Sequence, residues 1–375
     1  MPKGARLAKP WHNSQMKTVA DFKIQYRQTL DHRGELVGPL PRFAEDTAEI
    51  LRMYEAMTMV RVFDAKAVNL QRTGQLGTYP SCLGHEATHI GIGAAMHAED
   101  VLAPVYREFG TQLWRGVTMT EILLYWGGDE RGNNFGVPRQ DFAWCVPIAT
   151  QTLHAAGAAM AFKLLKEPRC ALAYIGDGGT SEGAFYEALN IAGARTLPVV
   201  FVIVNNGWAI SVPVAAQTAT QTLAQKAIAA GIPGVQVDGN DVLAIREVVS
   251  EALENARAGA GPTLIEALTY RLSDHTTADD ASRYRPSQEL KDAWTLEPLI
   301  RIRKFLVNAN LWDANKEQAL LHECTQKVDA AVSDYLANTK PSTDQMFDYL
   351  FATVPSQLRE QRDIARKYAS KTSGH

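Results

Sequence analysis

The sequence predicts an α/β fold: a doubly wound, mostly parallel sheet with helices on both faces, preceded by an extended N-terminal arm and followed by a helical C-terminal region. Three observations predict it. Short apolar runs such as CALAYIG (170–176) and PVVFVIV (198–204) have the character of strands buried on both faces. A helical pattern, SEGAFYEALNIAGART (181–196), lies between them, and strand, helix, strand is the order of a right-handed crossover between parallel strands. Each run ends in a polar turn, Gly176-Asp177-Gly178-Gly179 after the first and Asn205-Asn206 after the second.

Residues 1–45 read as the arm, because HRGELVGPLPRF has turn residues and no sustained period. The α/β domain, 46–285, opens with the amphipathic pattern DTAEILRMYEAMTMVRVFDAKAVNLQ; Asp46 and Thr47 are cap candidates, and Glu49 suits the positive end of the helix dipole. A glycine-rich loop then leads through LGHEATHIGIGAAMH into a helix of small residues, and DVLAPVYREFG is expected to hold a short strand ending at Tyr106 and Arg107. The stretch QTLHAAGAAMAFKLLKE is helical with an Ala/Gly face. Beyond the central crossover, GVQVDGND and PTLIEALTYRL are strand candidates around the helix DVLAIREVVSEALENARA. Residues 286–375 read as helices, LKDAWTLEPLIRIRKFLVNANLW and NKEQALLHECTQKVDAAVSDYLA among them. No internal repeat is present.

The chain has 375 residues, 46% of them apolar, enough for a sizeable core. A net charge of −3 offers no bulk attraction to nucleic acid or anionic membrane, so any bound anion must be held by local groups. Four cysteines without CxxC spacing argue against a disulfide framework or a structural zinc site. No apolar run approaches the ~20 residues of a membrane helix. Lys3, Arg6, Lys9 and Lys17 precede the first acid, Asp21, but two prolines and few serines count against a transit peptide. A cytoplasmic setting is expected, with the mitochondrial matrix as the alternative.

In parallel sheets ligands gather at the carboxyl ends of the strands. If the two central strands are neighbours, Asp177 and Asn206 emerge together as hard oxygen ligands suited to magnesium, and the Trp208 carbonyl is placed to join them. Gly178 and Gly179 let backbone N–H groups approach phosphate oxygens. Each turn alone is an ordinary turn signal; the specificity lies in the pair, one helix-strand unit apart at residues 179–204. A dinucleotide fingerprint is not matched, since Ser181 stands where it requires glycine.

This "GDG…NN" pattern resembles the thiamin-diphosphate motif, and the stretch around it is similar to the α subunit of the decarboxylating first component of 2-oxo acid dehydrogenase complexes. The resemblance extends through LGHEATHIGIGAA, VYREFG, QTLAQKAIAAGIPGVQVDGNDV and PTLIEALTYRLSDHTTADDASRYR, roughly residues 20 to 365. It implies a thiamin-diphosphate-binding fold in which Asp177, Asn206 and the Trp208 carbonyl bind Mg2+, and Gly178 and Gly179 hold the diphosphate. It also places Tyr106 and Arg107 at the coenzyme, makes Ile148 the apolar prop that bends it, and makes His275 the active-site histidine. Arg271, Tyr284 and Arg285 would order the loop around His275, where Thr276 and Thr277 match a region phosphorylated in mitochondrial relatives. Two departures stand out. Val204 replaces an arginine of branched-chain relatives that contacts phosphate. Some relatives bind K+ near the segment matching CVPIATQ; Pro147, Thr150 and Gln151 could still serve, but Cys145 replaces a serine, which counts against a structural K+. His85, His89 and His154 are taken as structural.

Such enzymes need a second α/β unit to activate the pyrimidine, and the residues after Leu272 do not read as one. The resemblance therefore implies a β subunit, an α2β2 heterotetramer and a dihydrolipoyl acyltransferase whose lipoyl group accepts the acyl fragment. Pyruvate is the first expected substrate, with branched-chain 2-oxo acids or acetoin as alternatives and a non-catalytic scaffold as a different class. The small-residue helices HIGIGAAM and HAAGAAMA suit either subunit contact or core packing.

Overall fold

The computed structural model describes residues 17–338 and 341–372. The basic residues Lys3, Arg6 and Lys9 lie outside them. In chain order the strands are β1 Gln25–Arg27, β2 Val101–Ala103, β3 Ala171–Gly176, β4 Val199–Asn205, β5 Trp208–Ala209, β6 Val212–Pro213, β7 Gly234–Asp238 and β8 Thr263–Leu268. Six of them form one parallel sheet in the order β1-β7-β8-β4-β3-β2, while β5 and β6 make a small antiparallel hairpin. The helices before the central crossover are α1 Thr47–Arg72, α2 Glu86–Ala95, α3 Phe109–Arg115, α4 Met119–Trp126 and α5 Thr150–Leu165. Helix α6, Gly183–Ala194, joins β3 to β4. Two one-turn helices, α7 Val214–Gln217 and α8 Lys226–Ala229, precede α9, Val242–Arg257. The C-terminal helices are α10 Ser287–Trp294, α11 Pro298–Asn308, α12 Ala314–Ala337, α13 Gln345–Asp348 and α14 Ser356–Thr372.

The alternation of side chains along a strand makes the central strands two-sided. Ala171, Ala173, Ile175, Val199, Phe201 and Ile203 pack with Ala155, Ala159, Phe185 and Leu189 of α5 and α6. Their neighbours Leu172, Tyr174, Val200, Val202 and Val204 face the other way, onto Ile92 of α2 and Ile245, Val248 and Val249 of α9. Each fully buried side chain of this size stabilises the fold by roughly 1.5–3 kcal/mol, which is why uninterrupted apolar runs form these strands. A third core joins α1 to α4, α11 and α12.

Several local expectations change. The strand before Tyr106 stops at Ala103, because Pro104 has no N–H to give a ladder. The presumed arm contributes β1 at the sheet edge: Gln25, Tyr26 and Arg27 pair with Val235, Gln236 and Val237. One buried carboxylate fixes this arrangement, since Asp241 Oδ2 accepts from the Thr29 and Leu30 N–H groups while Oδ1 caps α9. The first C-terminal pattern breaks into α10 and α11 at Glu297-Pro298, where Glu297 accepts from the Leu299 and Ile300 N–H groups. The small face of α2 is used inside the chain: a Cβ on Gly91 would lie 2.6 Å from Ile245, and one on Gly93 2.9 Å from Trp114. Helix α5 leaves Leu153 and Leu164 exposed. No described helix is long and apolar enough to cross a membrane.

Candidate active site

Strands β3 and β4 are neighbours with Gly176 opposite Val204, so the turns after them come out at one end of the sheet. A cavity of about 490 Å³ opens there. Its walls include Tyr106, Arg107, Ile148, Asp177, Gly178, Gly179, Asn206, Trp208 and His275, so the nine residues expected to bind coenzyme or metal or to act in catalysis share one cavity, while Tyr284 and Arg285 stand behind it.

Asp177 is buried and takes part in none of the ion pairs among the described residues. Its carboxylate accepts from Gln217 Nε2 at 2.8 Å, and the Asn206 backbone favours its charged form. Burial pushes its carboxyl up from the usual carboxylate range, because an ionised oxygen pair there has lost water without gaining a cation in contact. Asn206 Oδ1 accepts from the Trp208 N–H at 3.2 Å, and the Trp208 carbonyl accepts from Arg271 at 3.0 Å. Among the described residues no three His, Cys, Asp or Glu side chains cluster as a metal site. A cation here would therefore be held by one carboxylate with amide and backbone oxygens, a donor set suited to a hard ion that keeps other ligands.

The turn after Asp177 is shaped as a cradle. A Cβ on Gly178 would stand 2.5 Å from the Ala209 side chain, and one on Gly179 would stand 2.7 Å from Ile175 and 2.9 Å from Ile148. Residues Gly178–Ser181 form a 3-10 turn, and α6 starts only at Gly183, later than the pattern suggested. Thr180 Oγ1 closes the turn on the Asp177 carbonyl at 2.7 Å, and Lys226 Nζ donates to the Thr180 carbonyl at 3.0 Å.

The opposite wall is basic. Arg107 donates to the His275 carbonyl at 2.9 Å and reaches the ring Nδ1 at 3.4 Å; Arg271 reaches the same nitrogen at 3.3 Å. With two guanidinium groups on Nδ1, that nitrogen accepts and Nε2 carries the proton. Burial, then Arg107 and Arg271, lower the His275 pKa to about 3, so the ring is neutral at physiological pH. Asp279 accepts from the His275 N–H at 2.9 Å and bonds Tyr284, while Arg285 donates to the carbonyls of Arg271 and Ser273. Trp208 Nε1 and the Tyr270 hydroxyl both donate to Glu289 of α10, at 2.7 and 2.8 Å.

The cavity also holds Glu108, which sequence reasoning did not select, together with Gln151 and His85, which it had placed at a possible potassium segment and in a structural role. Glu108 accepts from the Val105 and Arg107 N–H groups at 2.9 and 3.1 Å, and burial raises its carboxyl to about 7. Gln151 donates to the Tyr174 carbonyl at 2.7 Å. His85, expected to be structural, is part of the wall. The sequence signals were slight: Glu108 follows Tyr106-Arg107, and His85 stands four residues before His89, whose ring lies 5.6 Å away. His154 lies outside the cavity, stacked on Phe142.

Residues 54–343 match the family described as the dehydrogenase E1 component. The chain is 44% identical over 327 residues to the 3-methyl-2-oxobutanoate dehydrogenase subunit alpha of Mycobacterium tuberculosis (strain ATCC 25618 / H37Rv), covering 86% of this chain and 89% of that one. It is 38% identical over 352 residues to the pyruvate dehydrogenase E1 component subunit alpha of Staphylococcus aureus (strain Mu50 / ATCC 700699), covering 93% of this chain and 95% of that one.

Proposed function

The chain belongs to the dehydrogenase E1 component family as a 2-oxo acid dehydrogenase α subunit, and from that premise we propose that it decarboxylates a small 2-oxo acid with thiamin diphosphate and Mg2+ and passes the acyl group to lipoyl on a dihydrolipoyl acyltransferase. One observation carries this reading: the buried carboxylate of Asp177, which no described cation contacts, shares a cavity with two guanidinium groups, Arg107 and Arg271, that converge on a neutral imidazole. A cation seat beside an anion seat fits a metal diphosphate.

Asp177, Asn206 and the Trp208 carbonyl would hold the magnesium ion. The Gly178 and Gly179 N–H groups and Arg107 would hold the diphosphate, with Tyr106 alongside and Ile148 packed against Gly179 as the apolar prop. Bound thiamin diphosphate supplies a thiazolium that accepts the electrons released as carbon dioxide leaves. The protein orients, excludes water and moves protons. His275 donates through Nε2 to a developing oxyanion or to phosphate, and Arg107 and Arg271 fix that tautomer. Glu108, with a carboxyl near 7, is poised to exchange a proton at physiological pH.

Val146, Ile148, Ile210 and Val212 line or flank the mouth with 50, 42, 54 and 44% of their surfaces exposed. Such a rim suits a covering β subunit in an α2β2 heterotetramer, which would act in the cytoplasm. Pyruvate is the substrate we propose first. A branched-chain 2-oxo acid is the second reading, favoured by the higher identity, 44 against 38%, to the M. tuberculosis relative. The chain co-expressed with its β subunit should release carbon dioxide from pyruvate or 3-methyl-2-oxobutanoate only when thiamin diphosphate and Mg2+ are supplied. Coenzyme binding without turnover of either acid or of acetoin would favour a scaffold role, and the ratio of kcat/KM values decides between the acids.

A further inference from the structure

We propose that His85 is an additional anion-binding residue of this cavity, its imidazole bonding an anionic oxygen drawn in between Arg107 and Arg271. Given the coenzyme reading above, on which the identity of the anion rests, that oxygen belongs either to a diphosphate or to the carboxylate of the 2-oxo acid.

Four observations converge. His85 forms part of the cavity wall although only 2% of its surface is exposed. Its Nε2 is buried and has no hydrogen-bond partner among the described residues. A polar atom buried in this way costs free energy unless something satisfies it, so an orphan in a ligand cavity points to the ligand. The backbone that delivers the ring is rigidly specified: Gly84 has φ +97°, a Cβ there would lie 2.2 Å from the Tyr270 carbonyl, and its N–H donates to Glu86 at 3.0 Å. On the other side, Thr269 donates to the Gly84 carbonyl at 2.7 Å. The ring is thus preorganised rather than loosely packed.

The surroundings select an anion. Arg107 and Arg271 act electrostatically on the ring, and the ten-residue helix α2 begins directly after it with its positive end toward the same region. The charged and titratable groups around His85 come from four elements. Helix α2 supplies Glu86, which is held by Arg61, and His89; the turn after β2 supplies Arg107 and Glu108. The loop after β8 supplies Arg271 and His275, and the tip of β3 supplies Asp177. Burial, His89 and the two arginines keep the ring neutral in the free protein. An anion placed against it opposes those arginines, so binding draws a proton onto the ring and strengthens as pH falls.

The test uses the chain assembled with its β subunit and two probes, magnesium pyrophosphate and magnesium thiamin diphosphate, titrated calorimetrically in buffers of different ionisation enthalpy, together with KM for the 2-oxo acid. His85→Leu is expected to weaken both probes about tenfold if the oxygen is phosphate. If it is the substrate carboxylate, both affinities stay unchanged and KM rises about tenfold. His85→Gln, which can still donate, should recover most of the loss while taking up fewer protons on binding than the wild type; this signature separates a direct contact from a packing role. Wild-type affinity, KM and proton uptake in both variants would overturn the inference. Wild-type protein that binds pyrophosphate but not thiamin diphosphate would overturn the coenzyme reading and leave His85 to be judged on the pyrophosphate arm. If it binds neither, both fail.

Discussion

Asp177 carries a charge that no cation among the described residues contacts, and its hydrogen-bond donor, Gln217, is neutral. A divalent ion would relieve that buried charge. Asp177→Ala should therefore abolish Mg2+-dependent thiamin-diphosphate binding while leaving circular dichroism and assembly intact; unchanged coenzyme affinity would remove the carboxylate from the cation site. His275→Ala should keep the fold but lower overall activity by about 10²-fold or more, in the range for a positioned proton-transfer group, measured as reductive acylation of a lipoyl domain. Glu108 gives a pH signature. Its folded pKa, about 7, lies above that of a solvated glutamate, so the stability contributed by its protonated form is fully present below roughly pH 4.5 and is lost as pH rises through 7. The wild-type Tm should fall from pH 5 to pH 8 by more than that of Glu108→Gln, and parallel curves would refute the assignment.

At the scale of elements, the β5–β6 hairpin is where the fold stores strain beside the cavity. Ile210, its turn residue, has φ +54°, an uncommon conformation for a β-branched side chain, costing on the order of 1–3 kcal/mol. Arg271 holds it there, donating to the Ile210 carbonyl at 2.9 Å and to Trp208 on the opposite side of the turn. Ile210→Gly should relieve the strain and leave Tm unchanged or higher, while weakening coenzyme binding through loss of an apolar wall; a large fall in Tm would contradict this account. The hairpin was not legible in the sequence, because two-residue strands carry no period and their geometry depends on an arginine some sixty residues away. The tips of β3 and β4 were legible for the opposite reason: each follows a fully buried apolar run, and a single helix separates them. Pro104 cuts the strand before Arg107 short, because a residue without an N–H cannot continue the ladder that the apolar run around it favours.

At the scale of the molecule, the sequence pattern announced the crossover that unites Asp177 with Asn206, whereas His275 and Arg271 reached the site only through the family resemblance, because no pattern told that β8 would lie beside β4. Strand order is set by long-range packing, which a linear pattern does not encode. The cavity's apolar rim predicts that the chain alone binds coenzyme weakly and turns over no 2-oxo acid, and that adding the β subunit restores both, as seen by calorimetry and carbon dioxide release. Full turnover by the isolated chain would remove the need for a partner. The edge strand β1 imposes a schedule as well as a shape. Gln28, next to it, donates to Asp238 at 2.8 Å across 210 positions, and at the ~5–20 residues per second of protein synthesis the leading segment leaves the ribosome about 10–40 s before its docking place exists. Until then it must be kept from other partners, which makes the nascent chain, rather than the finished subunit, the stage most exposed to mispairing.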